Sequence, residues 1–233
     1  MKTPLAVPVV PGTRQGFAFP VLRLGLALAI APALRAGNCC SPDKPAPAKP
    51  AAAPAPCCRE TPPAAAPALT DRSVFQLDAV WTNDRGNAVK LAELRGRPVV
   101  AAMFFASCQY ACPMIVSDLT RLRDGLPADI RSRAVFLLVS FDHERDTVDA
   151  LRQYRERLQL DPESWMLLRG RPQDIQDLAA VLGVRYQREA TGQYVHSNLI
   201  TVLNAEGEIV HQKEGLGGDV GDVAQAVIAA ASR

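Results

Sequence analysis

Hydrophobic and polar residues follow patterns that predict alternating strands and helices from residue 69 onward. Continuous apolar runs at residues 99–105 and 134–141 predict two strands that are buried on both faces. Apolar residues at helical spacing predict a helix over residues 113–126. The remaining predicted elements are helices at residues 147–158, 173–182 and 220–230, and strands at residues 74–77, 89–91, 165–168, 194–203 and 208–211.

The order of these elements predicts the fold class. Two strand–helix crossovers are followed by a hairpin and a closing helix, which describes an α/β layer fold. This order resembles the thioredoxin-like fold, in which a central mixed sheet is flanked by helices. We therefore expect residues 69–233 to form a thioredoxin-like domain.

The first 36 residues differ from the rest of the chain. Three basic residues precede a short apolar run at residues 24–33, and small residues follow it, which is the organisation of an export signal. The run is shorter than the roughly 20 apolar residues of a membrane-spanning helix. We predict that residues 1–36 form a signal peptide or a membrane anchor. The folded domain is then exported, and is either periplasmic or anchored to the inner membrane facing the periplasm.

Residues 37–68 are predicted to form a disordered linker. Of the 28 residues from 41 to 68, nine are Pro and ten are Ala. Such a segment buries too little apolar surface to fold, and it favours extended polyproline geometry. The linker also carries two cysteine pairs, Cys39-Cys40 and Cys57-Cys58. These pairs are either accessory soft-metal ligands that load the main site or thiols without a role, and both alternatives stay open.

Composition and charge exclude one class of partner. The chain has 233 residues, of which 48% are hydrophobic and 21% are charged, and its net charge is +2. Residues 1–68 carry seven Lys or Arg and two Asp or Glu, so residues 69–233 have a net charge of −3. The sequence has no basic stripe with interleaved aromatic residues. We therefore expect no nucleic-acid partner.

Cys108 and Cys112 lie between the first predicted buried strand and the helix that follows it. Pro113 suits the first turn of that helix. Free N–H groups and partial positive charge at a helix N-terminus favour thiolate, which attacks disulfides and binds soft metals. Residues four apart share a helix face, so both sulfurs are expected to point the same way. The pair is a candidate redox-active dithiol, able to close a disulfide, and a candidate metal site.

Two thiolates leave a third coordination position open on Cu(I), and a histidine is the best remaining ligand for it. His196 is the best donor, since it opens the strand predicted to run beside residues 99–105. His143 follows the second buried strand, so we expect it near the site, and whether it is also a ligand stays open. His211 lies late in the last strand and is predicted to be solvated. From the residues alone, metal binding and pure dithiol redox chemistry have equal support.

Three segments together resemble the Sco/SenC family: residues 105–113 with their Cys-x3-Cys-Pro pattern, residues 139–147, and residues 195–204. The proteins of that family are thioredoxin-fold copper chaperones of cytochrome oxidase assembly. The resemblance implies a copper ion held by both cysteines of the first segment, Cys108 and Cys112, and by His196.

The middle segment departs from the family pattern at two positions. His143 and Val148 stand where the family usually has proline, whereas Asp142 and Asp146 match. We expect these carboxylates to orient neighbouring groups or to dock a partner, because carboxylates are hard ligands and Cu(I) is soft.

Disulfide reductases of the thioredoxin type resemble one another in having a proline opposite the dithiol. No proline follows Pro172 here, which favours metal binding.

Two functions are consistent with this sequence. A copper chaperone would deliver copper to an exported cuproprotein, such as the copper subunit of a cytochrome oxidase, and would lie near a membrane through its N-terminus. A thiol–disulfide oxidoreductase would keep the copper-ligand cysteines of such a partner reduced, and a thiol reductant would restore its own dithiol. Both functions use Cys108 and Cys112, so whether the chain is an enzyme stays open.

Overall fold

The computed structural model describes residues 68–232 of the chain. The predicted signal or anchor and the predicted linker, apart from Ala68, lie outside the described residues. The same holds for the four cysteines of the linker. In the described range, no helix is both long enough and apolar enough to cross a lipid bilayer.

Nine strands and five α-helices make up the described part of the chain. The strands are β1 (Trp81–Asn83), β2 (Ala88–Val89), β3 (Val99–Phe104), β4 (Val135–Ser140), β5 (Trp165–Arg169), β6 (Tyr186–Arg188), β7 (Tyr194–His196), β8 (Leu199–Leu203) and β9 (Ile209–Glu214). The helices are α1 (Ala111–Gly125), α2 (Ala128–Arg133), α3 (Val148–Arg157), α4 (Pro172–Leu182) and α5 (Gly221–Ala231). Two short 3-10 helices cover Val74–Gln76 and Leu91–Leu94.

Seven of the strands in residues 68–232 form one mixed sheet in the order β2-β1-β5-β4-β3-β8-β9. The three strands β3, β4 and β5 are parallel, and β8 lies antiparallel to β3. Every residue of β3 and β4 is buried, which explains why both strands are continuous apolar runs. The predicted central mixed sheet with flanking helices is confirmed.

The predicted helices agree with the observed ones to within two residues at their starts. Helix α1 begins two residues earlier than predicted, so Cys112 and Pro113 both lie in its first turn, where a missing N–H costs nothing. Thr147 caps α3, because its hydroxyl accepts the Ala150 N–H at 3.2 Å. Helix α4 ends at Gly183, whose φ of 73° is readily adopted by glycine. The short helix α2 was not predicted.

The prediction of a strand at residues 74–77 was wrong. These residues begin in a 3-10 helix, because the Ser73 hydroxyl accepts the Phe75 N–H and favours a turn. The strand that pairs with β2 around the turn after Asn83 is β1, which was not predicted.

The prediction of one strand over residues 194–203 was also wrong. The extended conformation is interrupted at Ser197 and Asn198, so residues 194–196 and residues 199–203 form two strands that belong to different sheets. The first half, β7, pairs with β6 in a separate two-stranded sheet, whereas β8 pairs with β3 and β9. His196 therefore lies on the β6–β7 hairpin and not on the strand beside β3.

Candidate metal centre

Cys108, Cys112 and His196 converge at the edge of the sheet where β3 ends. One sulfur or nitrogen atom from each residue lies within 4.8 Å of the other two, and Cys112 Sγ is 3.9 Å from His196 Nε2. Three ligands that bind one ion through bonds of about 2.0–2.3 Å lie roughly 4 Å apart. The observed cluster therefore needs only a small contraction to hold a copper ion. Within residues 68–232 it is the one group of three or more such side chains arranged for a metal.

The loop between β3 and α1 places the two sulfurs. Cys112 is the second residue of α1 and is fully buried, whereas Cys108 precedes the helix and is half-buried. The Cys112 N–H donates to Cys108 Sγ at 3.3 Å, so the sulfur takes up one of the free N–H groups of the first turn. The expectation that both cysteines share a helix face was wrong, because only one of them is helical. This hydrogen bond, and not helical spacing, brings the pair together.

Burial is the main influence on the pKa of the Cys112 thiol. It raises the pKa of the Cys112 thiol far above its ordinary value, the backbone N–H of Phe105 opposes this, and negative charge on Cys108 adds to it. Burial of the Cys112 sulfur therefore opposes the thiolate that the helix N-terminus was expected to favour. A metal that binds this sulfur must displace its proton.

The hydrogen bonds of His196 fix which ring nitrogen is available. Its Nδ1 lies 3.2 Å from the carbonyl oxygen of Ser197, which can only accept, so Nδ1 carries the proton. In the neutral ring Nε2 is then left with a free lone pair, and Nε2 is the atom that faces Cys112. Burial lowers the pKa of His196, which keeps the imidazole neutral and able to bind a metal.

Aromatic rings form the wall that holds His196 in place. The Phe141 ring lies 5.1 Å from the imidazole, and the Phe105 ring meets it edge-on at 6.0 Å. Both phenylalanines also pack against Tyr194, at 5.0 and 5.3 Å. Tyr186 stacks on Phe141 at 5.1 Å. The hairpin therefore docks on the sheet edge mainly through ring contacts.

The two acidic residues after β4 have different partners, and only Asp146 bonds to the loop that leads to the cysteines. Asp146 accepts the Ala106 N–H at 2.8 Å and the Ser140 hydroxyl at 2.5 Å. Asp142 is fully buried and forms an ion pair with Arg145. Neither carboxylate belongs to the metal cluster. Both carboxylates bond to neighbouring groups, as the first of the two predicted roles requires, and docking of a partner stays a prediction.

The other two histidines of the chain lie outside the metal cluster. His143 is half-buried in the loop after β4, and its carbonyl accepts a hydrogen bond from Arg169 at 3.1 Å. His211 is also half-buried and lies 3.3 Å from the Asp222 carboxylate. His211 was predicted to be solvated, but its side chain is only 29% exposed because it lies against Asp222 of α5.

An open groove of about 460 Å³ leads to the cluster. Uncharged residues line it, among them Cys108, Gln109, Tyr194 and His196, whereas Cys112 lies behind them. A molecule that enters the groove therefore meets Cys108 and His196 first.

Tyr194 is the residue of this site that sequence reasoning missed. Alternate residues of a strand share a face, so Tyr194 and His196 must point the same way. Val195 between them is 61% exposed on the opposite face. The sequence shows that Tyr194 and His196 are two residues apart, but it does not show where the short strand β7 begins and ends.

Comparison with known proteins gives concordant matches. The family model described as SCO1/SenC matches residues 69–231. A protein of Stutzerimonas stutzeri that is named for copper binding is 28% identical over 143 residues, which cover 60% of this chain and 68% of the relative.

Two solved structures resemble the fold. Arabidopsis thaliana ScoI with copper bound has a TM-score of 0.56 at 23% identity, and the match covers 65% of this chain and 94% of that chain. BsSco, described as a member of the Sco family of cytochrome c oxidase assembly proteins with a disulfide switch, has a TM-score of 0.59 at 21% identity, over 66% and 91% of the two chains. These likenesses confirm the thioredoxin-like fold.

Proposed function

The chain belongs to the SCO1/SenC family, and on that premise we propose that it is a copper chaperone for a respiratory oxidase or another exported cuproprotein. The observation that carries the proposal is the convergence of Cys108, Cys112 and His196. Two sulfurs and an imidazole nitrogen form a soft set of ligands, which favours Cu(I) over hard cations. The relative named for copper binding and the copper-bound ScoI structure support copper as the cargo.

The accessibility of the three ligands suits the release of copper. Cys108 and His196 line the open groove, whereas Cys112 is buried behind them. A cysteine of the recipient that enters this groove reaches the copper ion from the open side. We propose that it displaces His196 or Cys108 first, and that Cys112 is the last ligand to let go.

Copper stoichiometry and affinity of the reduced chain test the proposal. We expect one tightly bound Cu(I) at the domain site, and His196→Ala should weaken its binding at least tenfold through loss of a ligand. His143→Ala and His211→Ala are matched controls, and both should bind copper as the native chain does. Tight binding that persists without His196 would contradict the three-ligand site.

The linker cysteines need their own control in this measurement. A variant with serine at all four positions, Cys39, Cys40, Cys57 and Cys58, should keep the single high-affinity copper of the domain. If it loads copper more slowly than the native chain, the pairs are accessory ligands. If loading is unchanged, they have no role in it. A loss of all tight binding would place the copper site in the linker and refute the proposal.

A second candidate function is thiol–disulfide exchange, which the unequal exposure of the two cysteines favours. The Cys108 thiolate would attack a partner's disulfide and release one partner thiolate, and Cys112 would then attack the mixed disulfide and release the second. The partner gains two electrons, and the Cys108–Cys112 pair becomes a disulfide that a thiol reductant must restore. His196→Ala should keep this activity, whereas Cys112→Ser should stop at the mixed disulfide.

We also propose that the domain acts outside the cytosol, in the periplasm or anchored to the inner membrane facing it. The basic and apolar residues of the first 36 positions support this localisation. Cell fractionation and the mass of the mature N-terminus test it. A full-length chain in the cytosol would contradict export, and the mass distinguishes a cleaved signal from a retained anchor.

A further inference from the structure

The loop between β4 and α3 contacts both halves of the metal centre. On the cysteine side, the Asp146 carboxylate accepts the Ala106 N–H at 2.8 Å, two residues before Cys108. On the histidine side, the Arg145 guanidinium lies against the β6–β7 hairpin, which carries His196. The loop is therefore placed to set the distance between the cysteines and the histidine.

Arg145 contacts the hairpin at two places. The centre of its guanidinium lies 5.8 Å from the centre of the Tyr194 ring, within the range of cation–π attraction. Its Nη1 also lies beside the hairpin turn, since a Cβ added to Gly192 would be 3.6 Å away. Tyr194 and His196 lie two residues apart in β7 and share a face of the strand. A contact that fixes the Tyr194 ring therefore also fixes the direction of the imidazole.

Asp142 holds Arg145 from the side of the sheet. Its carboxylate is fully buried, pairs with Arg145 Nε and accepts the Arg145 N–H at 3.3 Å. The Asp142 N–H in turn donates to the hydroxyl of Ser140, the last residue of β4, at 3.0 Å. None of these groups belongs to the hairpin. The guanidinium is thus fixed by the sheet edge, and it loses little conformational entropy when the hairpin packs on it.

We propose that Arg145 is a positioning residue of the metal centre, which fixes Tyr194 and through it the place of His196 opposite the two cysteines. This inference rests on the proposed copper-binding function. The guanidinium suits the role because its Nε pairs with Asp142 while the rest of the group reaches the hairpin. A lysine ammonium is a single point of charge and cannot occupy both positions at once.

Asp142→Asn combined with Arg145→Met in the full chain tests the proposal. The double substitution removes both charges, so no buried carboxylate is left without its partner. We expect Cu(I) affinity to fall about tenfold, because His196 is no longer held in place. The EPR spectrum of the Cu(II) form should lose nitrogen coupling from the imidazole, and amide exchange should become faster in β6 and β7. Arg145→Lys should change all three quantities in the same direction by less, and it decides the matter if the double variant does not fold.

Asp149→Asn combined with Arg152→Met is the matched control. These two residues form an Asp–Arg pair of the same spacing in α3, at 3.0 Å, and their side chains are 74% and 50% exposed. The control variant should match the native chain in copper affinity, nitrogen coupling and amide exchange.

The first double substitution in a His196→Ala background separates positioning of the histidine from general support of the domain. If Arg145 acts through His196, Cu(I) affinity should fall no further in that background. An equal loss with and without His196 would overturn the proposal, as would native affinity and native nitrogen coupling in the double variant. If the native chain itself binds no copper, the proposed function fails as well. If it binds copper through His196 and only the Arg145 variants behave as native, the proposed function stands and this inference alone is refuted.

Discussion

The two halves of the metal centre are built very differently. The cysteines follow β3, which lies inside the seven-stranded sheet and is buried at every residue. His196 lies on the β6–β7 hairpin, which has three residue pairs and no fully buried residue. A two-stranded ribbon is marginally stable by itself. The site therefore joins a firmly anchored pair of ligands to a third ligand whose position depends on a few side-chain contacts.

Contacts of Tyr194 and Arg188 hold the hairpin against the sheet edge. The Tyr194 ring packs on Phe141 at 5.0 Å, with the Arg145 guanidinium 5.8 Å from its centre. Arg188 of the hairpin pairs with Glu144 at 2.6 Å, but both side chains are largely exposed, so this pair contributes little. Bound copper would add a link between the hairpin and α1. Copper affinity and global stability should therefore respond to different substitutions.

The largest effect is expected from the anchored half. Leu138 is fully buried on β4, between β3 and β5, so Leu138→Ala should lower the free energy of unfolding by about 2–5 kcal/mol. Urea denaturation measures this loss. Val181→Ala on the exposed face of α4 is the control and should change stability by less than about 0.5 kcal/mol. Equal effects of the two substitutions would contradict the central place of the sheet.

Substitutions in the β6–β7 hairpin should affect the stability of the domain less, but they should clearly lower its affinity for Cu(I). Tyr194→Ala removes the ring that holds β7 on Phe141 and Phe105, so Cu(I) affinity should fall by about tenfold or more. Amide exchange should become faster in β6 and β7 and stay unchanged in β3. Gln187→Ala, at an exposed position of β6, is the control and should change neither quantity. Faster exchange throughout the sheet would show that the hairpin is not an independent unit.

The smallest effect is expected from pH. Burial lowers the pKa of His196 from 6.5, so the unfolded or detached form takes up a proton before the docked form does. Docking of the hairpin is therefore fully stable above pH 6.5, and weakens as the pH falls from there toward the lowered pKa. Amide exchange of β6 and β7 measured against pH should show this, and His196→Asn should remove the dependence. If docking of the hairpin became more stable as the pH fell through this range, the pKa of His196 would be raised and not lowered by folding, and the prediction would be wrong.

The elements with long and uniform patterns were predictable from the sequence. Strands β3 and β4 follow from continuous apolar runs, and α1, α3 and α4 follow from helical spacing and their caps. The short strands β6 and β7 were not predictable, because three residues are too few to establish a period. The break at Ser197 and Asn198 was hidden for the same reason, so His196 was assigned to the wrong strand.

The sequence by itself determined the chemistry of the site: two cysteines after a buried strand, a single well-placed histidine, and hence soft ligands for copper. The tertiary structure alone decided how they meet. Cys112 and His196 are 84 positions apart in the chain, yet their ligand atoms are 3.9 Å apart. The burial of Cys112 and the hydrogen bond that orients the His196 ring also required the folded chain. The physical reason is that hydrogen bonds and the exclusion of water depend on distances of a few ångströms between distant segments, which no local pattern encodes.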